Sequence, residues 1–477
     1  MNLVKDLFKN TGVLTISQII TSILAFFWTT LTMRYLEVAD WGVINFAIAT
    51  MGIASIFMDF GMSIYIVRDV SRNMEQASKY LGNMILLKIL LSLITIFVVF
   101  IVLKLRNYSD LTVLISLIFG IQAAITSMNL LFNGIFQAFH KMKYQAFATI
   151  INSILLLSFV TITVELDLGI FYIALAYLIS IIVTVTYSIK SIKKLVDNIK
   201  IEFDFKFWIE VMKKATPFAI TSIFTSIFFM TDQVMLGAIS GDYALGIYSA
   251  SYRILLVFLT LYSMYTTAIF PIMSNLYKKS DNILKITFEK SVKYLLALAL
   301  PICVGISFYA DDIVTLICGS EYILAGSVLK ILIWNLVFTF INGISDSLLN
   351  STNHEMGVTK RTAIAGAFNF VLNLILISEF SYYGATISTL LSGLLVLLLN
   401  IYLISRAVFK INHSLIMDIA KISISTTILA IVLYFIRVSM WVAIPIGIII
   451  YGIAIIITKT LDNDDKYIVK ELLGKNN

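Results

Sequence analysis

Residues 213–253 read KKATPFAITSIFTSIFFMTDQVMLGAISGDYALGIYSASYR, and this stretch decides the fold. A basic pair, Lys213 and Lys214, precedes Pro217 at an expected helix start. An apolar run carrying one carboxylate, Asp232, leads through a short turn between Gly237 and Gly246 into a second apolar run, which carries Arg253. A charge at the centre of a membrane helix costs roughly 2.5–3.5 kcal/mol on insertion scales, so it faces a bundle interior or an aqueous cavity.

The same pattern opens the chain. Residues 9–49, KNTGVLTISQIITSILAFFWTTLTMRYLEVADWGVINFAIA, overlay residues 213–253 without a gap. Lys9 falls on Lys213, Thr21-Ser22-Ile23 on Thr225-Ser226-Ile227, and Gly42 on Gly246. Apolar matches between two membrane helices carry little weight. The shared T-S-I, the basic start and the common helix–turn–Gly–helix rhythm carry more, and they point to an internal duplication.

Composition sets the class. Of 477 residues, 59% are hydrophobic and 13% charged, with four prolines, and the mean hydropathy is +0.94. Soluble domains carry about 25% charged residues, so an all-α polytopic membrane protein is expected. The N-terminal MNLVKDLFKNTG lacks a small-residue cleavage pattern, so the first run reads as a retained helix. Cys303 and Cys318 lie in or beside apolar runs and suggest neither a disulfide framework nor a metal site.

Runs long enough to span fall at 13–35, 42–66, 82–103, 111–136, 145–164 and 168–189, then at 215–239, 246–273, 289–310, 324–349, 359–379 and 383–404, then at 417–436 and 440–458. These fourteen divide as six, six and two. The expected organisation is an N-terminal six-helix lobe (1–190), a basic cytoplasmic linker (191–214), a C-terminal six-helix lobe (215–405), and an additional helix pair with a tail (406–477). Six is even, so both lobes enter the membrane with the same orientation, as a parallel repeat. With the N-terminus inside, 28 of the 35 Lys and Arg residues fall on inner segments, including Lys190, Lys193, Lys194, Lys200, Lys206, Lys278, Lys279, Lys466, Lys470 and Lys475. The outer turns carry Glu37, Asp40, Asp110, Glu165, Asp167, Asp242, Asp311, Asp312 and Glu321. This distribution places both termini in the cytoplasm. The net charge of +7 is therefore an orientation signal, not a nucleic-acid footprint. Residues 67–80 suit a short amphipathic helix at the inner interface, and the linker alternates basic and aromatic residues as a headgroup-facing segment does.

No P-loop, HExxH, GxSxG or CxxC pattern is present, and His140, His354 and His413 stand singly at expected helix ends. No cofactor and no enzymatic activity are expected. The informative residues are the charges in or near the spans. Arg34 and Lys88 either snorkel to the interface or face a cavity. Asp59 precedes Arg68 and Asp69, which gives either a structural or gating ion pair on the cytoplasmic side or a substrate role. Asp232 and Arg253 either neutralise each other across the hairpin, or Arg253 lines a cavity for an anionic headgroup with Asp232 in its counter-charge or ion-coupling network. Asp346 has no evident partner in the sequence.

Three strings carry a family resemblance. RYLEVADWGVINFAIA (34–49) and MDFGMSIYIVRDVSR (58–72) resemble the opening of polysaccharide-export flippases of the Wzx type, and TDQVMLGAISGDYALGIYSASYR (231–253) resembles the start of that family's second half. The wider MOP flippase superfamily also holds MATE drug/cation antiporters and lipid II flippases. Two positions depart from the family pattern: Glu37 replaces the usual Gly after R-Y-L, and Trp41 replaces the usual Tyr before Gly42. The resemblance implies two lobes around a central cavity that opens alternately to each side, moving a polyprenyl-linked oligosaccharide outward. It implies cavity candidates Gln18, Thr21, Ser22, Asn129, Asn133, Thr225, Ser226, Asn342 and Asn350, with ordinary helix packing as the alternative role for the hydroxyls among them. It also implies that Arg253, Arg34 and Lys88 attract the phosphates, since a guanidinium fork matches phosphate oxygens. Coupling to an H+ or Na+ gradient and contact with membrane lipids and glycan-assembly enzymes belong to the same expectation. An ion-coupled antiporter of the same fold and a membrane glycan polymerase or ligase are the alternatives; the expected outer turns are short for the latter.

Overall fold

A computed structural model describes residues 2–196, 199, 202–410, 412–436 and 438–460. Part of the expected linker, including Lys200, and the expected tail with Lys466, Lys470 and Lys475 lie outside the described residues. The described residues form helices and turns without a strand: α1 (Asn2–Tyr35), α2 (Val38–Asp59), α3 (Met62–Val70), α4 (Ala77–Leu105), α5 (Asp110–Ala138), α6 (Met142–Glu165), α7 (Ile170–Ile192), α8 (Phe205–Tyr277), α9 (Asp281–Cys318), α10 (Ile323–Leu332), α11 (Asn335–Ser351), α12 (Glu355–Ala407), α13 (His413–Ile436) and α14 (Met440–Ile457). The fold is all-α and polytopic, as expected.

Among the described residues, eleven helices are long and apolar enough to cross a membrane, or twelve if the 47° bent pair α10–α11 is one span. The sequence reading expects fourteen. The difference lies in two helices that each hold two of the expected runs. α8 has 73 residues and is interrupted at Gly241 (φ 85°). α12 has 53 residues and is interrupted at Ser381 (φ 50°). The expected run 42–66 is also divided. Phe60 (φ 47°) and Gly61 (φ 70°) adopt left-handed conformations that stop α2 and start α3. A Cβ at Gly61 would stand 2.7 Å from the Ala219 amide nitrogen, so both its φ and its surroundings require glycine. α3 buries Met62, Tyr65, Ile66 and Val70 at helical spacing. The amphipathic helix expected over 67–80 is not found there: α3 ends at Val70, a turn and a short 3-10 turn at Met74–Gln76 follow, and residues 77–80 already open α4.

The chain packs as two compact units: Met1–Ser249 with Asn373–Tyr382, and Ala250–Leu372 with Tyr383–Asn477. In the first unit, α1 packs along α6, while α5 packs against α2 and α7. The Tyr35 hydroxyl donates to Asp167 Oδ1 at 2.9 Å and accepts from the Gly169 N–H at 2.7 Å, which ties the end of α1 to the turn between α6 and α7. A buried cluster of Tyr65, Tyr80, Leu81, Phe136, Trp208, Val211 and Ala215 draws α3, α4, α5 and the start of α8 together.

The sequence repeat has a physical counterpart inside this unit. A Cβ at Gly42 would overlap the Asp242 carbonyl oxygen, and one at Gly246 would overlap the Val38 carbonyl oxygen. The shift that places Gly42 on Gly246 also places Val38 on Asp242. The same glycine-on-carbonyl contact is thus made twice, once in each direction, between α2 and the second part of α8. Close approach of membrane helices through small residues is the expected packing device.

In the second unit, α13 and α14 dock on α9. Lys293, 1% exposed, pairs with Asp418 at 3.6 Å; Tyr451 donates to the Ala297 carbonyl at 2.8 Å; and Val304, Leu429, Leu433 and Ala443 form a small core. The last helix pair is an integral part of this unit.

A candidate substrate cavity

Helical spacing builds a cavity in the first unit. On α2, Ile48, Met51, Gly52, Ser55, Ile56 and Asp59 recur every three or four residues, so they share one face. α5 presents Phe119, Gln122, Ala123, Thr126, Ser127 and Leu130 by the same rule. Tyr177 of α7 and Ser222 and Met230 of α8 complete a cavity of about 390 Å³. A Cβ at Gly52 would stand 2.5 Å from the Met230 sulfur, so the bare glycine lets the thioether close that wall.

Asp59 is the one carboxylate of this lining. Its partner is Lys88 of α4, whose ammonium is completely enclosed while the Asp59 side chain keeps 18% exposure. Lys88 Nζ donates to Asp59 Oδ1, to Ser63 Oγ at 3.1 Å, and to the Ser127 carbonyl at 2.7 Å and hydroxyl at 3.0 Å. Ser63 donates its hydroxyl to Asp59 Oδ1 and its N–H to Oδ2 at 3.4 Å. The three ammonium protons face four acceptors, so the cation is saturated inside the bundle. Lys88 therefore neither snorkels nor offers its charge to a phosphate, which corrects the expectation for that residue.

The other expected site residues separate. Asp59 does form an ion pair, but with Lys88 and not on the Arg68 side. The Arg68 guanidinium lies 5.4 Å from the ring centres of Tyr65 and Phe218, and Asp69 accepts from the Tyr80 hydroxyl. Asp232 is buried; its Oδ1 accepts from Asn373 Nδ2 at 2.6 Å and its Oδ2 from the Tyr248 hydroxyl at 3.3 Å. Arg253 is half-buried on the part of α8 that belongs to the second unit. Arg34 and Gln18 are exposed on α1, and Ser22 and Ser226 are half-buried.

Asn129 bridges helices: it accepts from Ser188 Oγ at 2.7 Å, joining α5 to α7. In the second unit Asn342 accepts from Asn400 Nδ2 at 3.2 Å, joining α11 to α12, and donates to the Gly393 carbonyl at 3.0 Å. Asn129 and Asn342, both expected in the cavity, thus each hold helices together within their own unit. Asn350 is exposed. Asp346 does have a partner: Arg361, 5% exposed, reaches its Oδ1 at 2.6 Å.

Sequence reasoning overlooked Asn373, Arg361, Ser55, Gln122, Thr126, Ser127, Tyr177 and Ser222. A signal existed for some of them. Ser55 and Asp59 stand four apart in α2, as do Gln122 and Thr126 in α5, so each pair marks one polar stripe on an otherwise apolar helix.

Residues 7–277 match the family model described as polysaccharide biosynthesis protein, and residues 217–378 match the MatE model. The chain is 25% identical over 438 residues to the probable low-salt glycan biosynthesis flippase Agl15 of Haloferax volcanii, a match covering 90% of this chain and 89% of the relative. Among solved structures, the lipid II flippase MurJ in an inward closed conformation is similar with a TM-score of 0.79 at 19% identity, over 94% of this chain and 99% of that one. An inward-facing multidrug resistance MATE transporter of the MOP superfamily gives 0.66 at 15% identity, over 80% of this chain and 94% of that one. At these identities the solved structures show a common fold. The family model spans more than half of the chain, so this protein belongs to the polysaccharide biosynthesis protein family and shares the MOP superfamily fold.

Proposed function

We propose that this chain moves a lipid-linked glycan, a polyprenyl-(pyro)phosphate-linked oligosaccharide or polysaccharide repeat unit, from the cytoplasmic to the outer leaflet of the cell membrane. It does so by alternating access and without a catalytic step. The observation that carries the reading is the end-to-end match to a glycan biosynthesis flippase, covering 90% of this chain and 89% of the relative. The physics of the substrate agrees. Its sugars and phosphates cannot cross hydrocarbon unaided, whereas the polyprenyl tail can remain in lipid. Arg253 supplies the planar donor fork for the phosphates, and exposed Arg34 attracts them at the end of α1. Asp232, held by Asn373 and Tyr248, is the carboxylate for coupling to H+ or Na+. Both termini face the cytoplasm, where glycan-assembly enzymes deliver the substrate.

The test is transfer of a fluorescent lipid-linked oligosaccharide in proteoliposomes, comparing wild type with Arg253→Ala. Transfer by wild type that falls at least tenfold in a folded variant is the expected result. Transfer unchanged in the variant returns Arg253 to a structural role. The MatE match over residues 217–378 favours a second reading, a drug/cation antiporter of the same fold. Gradient-driven movement of a small cation, with no movement of any glycolipid, would establish that reading instead.

A further inference from the structure

We propose that the first-unit cavity is a sugar subsite, which holds one neutral pyranose ring of the glycan while the phosphates are bound elsewhere. The proposal rests on the flippase reading for the origin of the sugar, but its argument comes from the cavity itself.

Charge decides what the cavity can accept. The Lys88 ammonium lies wholly behind Asp59, saturated by protein acceptors, while the Asp59 carboxylate borders the cavity. Asp59 Oδ2 receives from the protein only the long 3.4 Å bond from the Ser63 N–H. A ligand entering here meets acceptor oxygen with its countercharge sealed off. A phosphate or pyrophosphate is repelled by that edge, whereas a hydroxyl donates to it. A carboxylate accepting from a neutral donor is also among the stronger hydrogen bonds available.

The remaining lining has the same character. Gln122 donates Nε2 to Thr126 Oγ1 at 3.3 Å, and the other end of its amide has no protein partner. The Ser222 hydroxyl is also unpaired, though it borders the cavity. An amide and a hydroxyl can each donate and accept, as a vicinal diol does. Phe119 and Tyr177 stand with ring centres 5.3 Å apart at 54°, an apolar wall suited to the C–H face of a sugar ring. A volume of about 390 Å³ lies within the roughly 300–1,000 Å³ of small-molecule sites. Carboxylate, amide and hydroxyl opposite aromatic rings fit a hydroxyl-rich ring better than a hydrophobic drug or an inorganic anion.

The experiment uses the full-length protein with Gln122→Leu and Ser222→Leu, two substitutions that leave the Asp59–Lys88 pair intact. In detergent, saturation-transfer NMR is recorded with methyl glucoside, methyl galactoside and methyl mannoside, with and without inorganic phosphate. In proteoliposomes, transfer is measured for a fluorescent polyprenyl phosphate bearing one hexose and for the same lipid without it. We expect saturation transfer to at least one glycoside in wild type, insensitive to phosphate and reduced at least tenfold in both variants. We also expect transfer of the hexose-bearing lipid to fall about tenfold and that of the bare lipid less than twofold. No signal from any glycoside, or a signal equal in the variants, overturns the subsite even if lipid transfer is robust. Competition by phosphate also overturns it and assigns the cavity to the headgroup. Glycoside binding by a wild type that moves neither lipid leaves the subsite standing and defeats the flippase reading instead.

Discussion

The Asp59–Lys88 pair shows what a buried charge demands of its neighbours. A lysine with no exposed surface is tolerable only because a carboxylate, two hydroxyls and a carbonyl surround it. Removing Asp59 strands a cation, and breaking such a pair from one side costs about 3–5 kcal/mol. Asp59→Asn is expected to destabilise by that amount. Lys88→Met should cost less, because the carboxylate it leaves behind already borders a cavity. The double change should recover much of the loss, so the cycle reports a coupling well above the scatter of independent sites. Thermal unfolding in detergent, followed by tryptophan fluorescence, measures all four proteins; additive losses would show that the pair is not a unit. The sequence made each member conspicuous as a charge within an apolar run. It did not pair them, because they lie 29 residues apart and meet only through the register of α2 against α4. Arg68, nine residues from Asp59, was the nearer candidate, yet it is spent on the rings of Tyr65 and Phe218.

Among the elements, apolar runs were legible and their interruptions were not. Hydropathy averages over a window, so a single left-handed residue leaves no trace in it. Gly61 sits inside the single expected run 42–66, and Ser381 adopts φ 50° without being glycine. The repeat was legible because a turn glycine in a fixed place survives where apolar residues interchange. Its reason appears in the packing of α2 on α8, where Gly42 and Gly246 each meet the other helix's backbone carbonyl. A methyl at either position must push the helices apart, and overpacking of this kind costs about 1–3 kcal/mol. Gly42→Ala and Gly246→Ala should therefore destabilise by similar amounts. Their effects should also fall short of additive in the double variant, since helices separated by one methyl admit the second more readily. Equilibrium unfolding of the three variants decides the point. Full additivity would mean that the two contacts relax independently and that the reciprocity has no energetic consequence.

For the whole molecule, the parity of crossings matters more than their number. Eleven spans would place the two ends of the described chain on opposite sides of the membrane, whereas twelve or fourteen place them on the same side. The backbone interruptions at Gly241 and Ser381 and the bent α10–α11 pair are the places where this parity is decided. If each interruption is a turn at the membrane surface and the bent pair is one crossing, the chain returns to the side on which it began. The charges agree with that path. Asp242 follows the first interruption and carboxylates cluster on the expected outer turns, while Lys and Arg gather on the inner ones. Single cysteines introduced at Lys193, Lys279 and Lys459, in a background with Cys303 and Cys318 replaced by alanine, should react with a membrane-impermeant maleimide only after the cells are permeabilised. Cysteines at Asp110, Asp167, Asp242 and Asp312 should react in intact cells. The pattern at Asp242 tests the first interruption and that at Lys459 tests the sum of all of them. Labelling of Lys459→Cys in intact cells, with the other positions as expected, would mean that α12 crosses only once or that the bent α10–α11 pair does not cross, and the second repeat would then have one crossing fewer than the first.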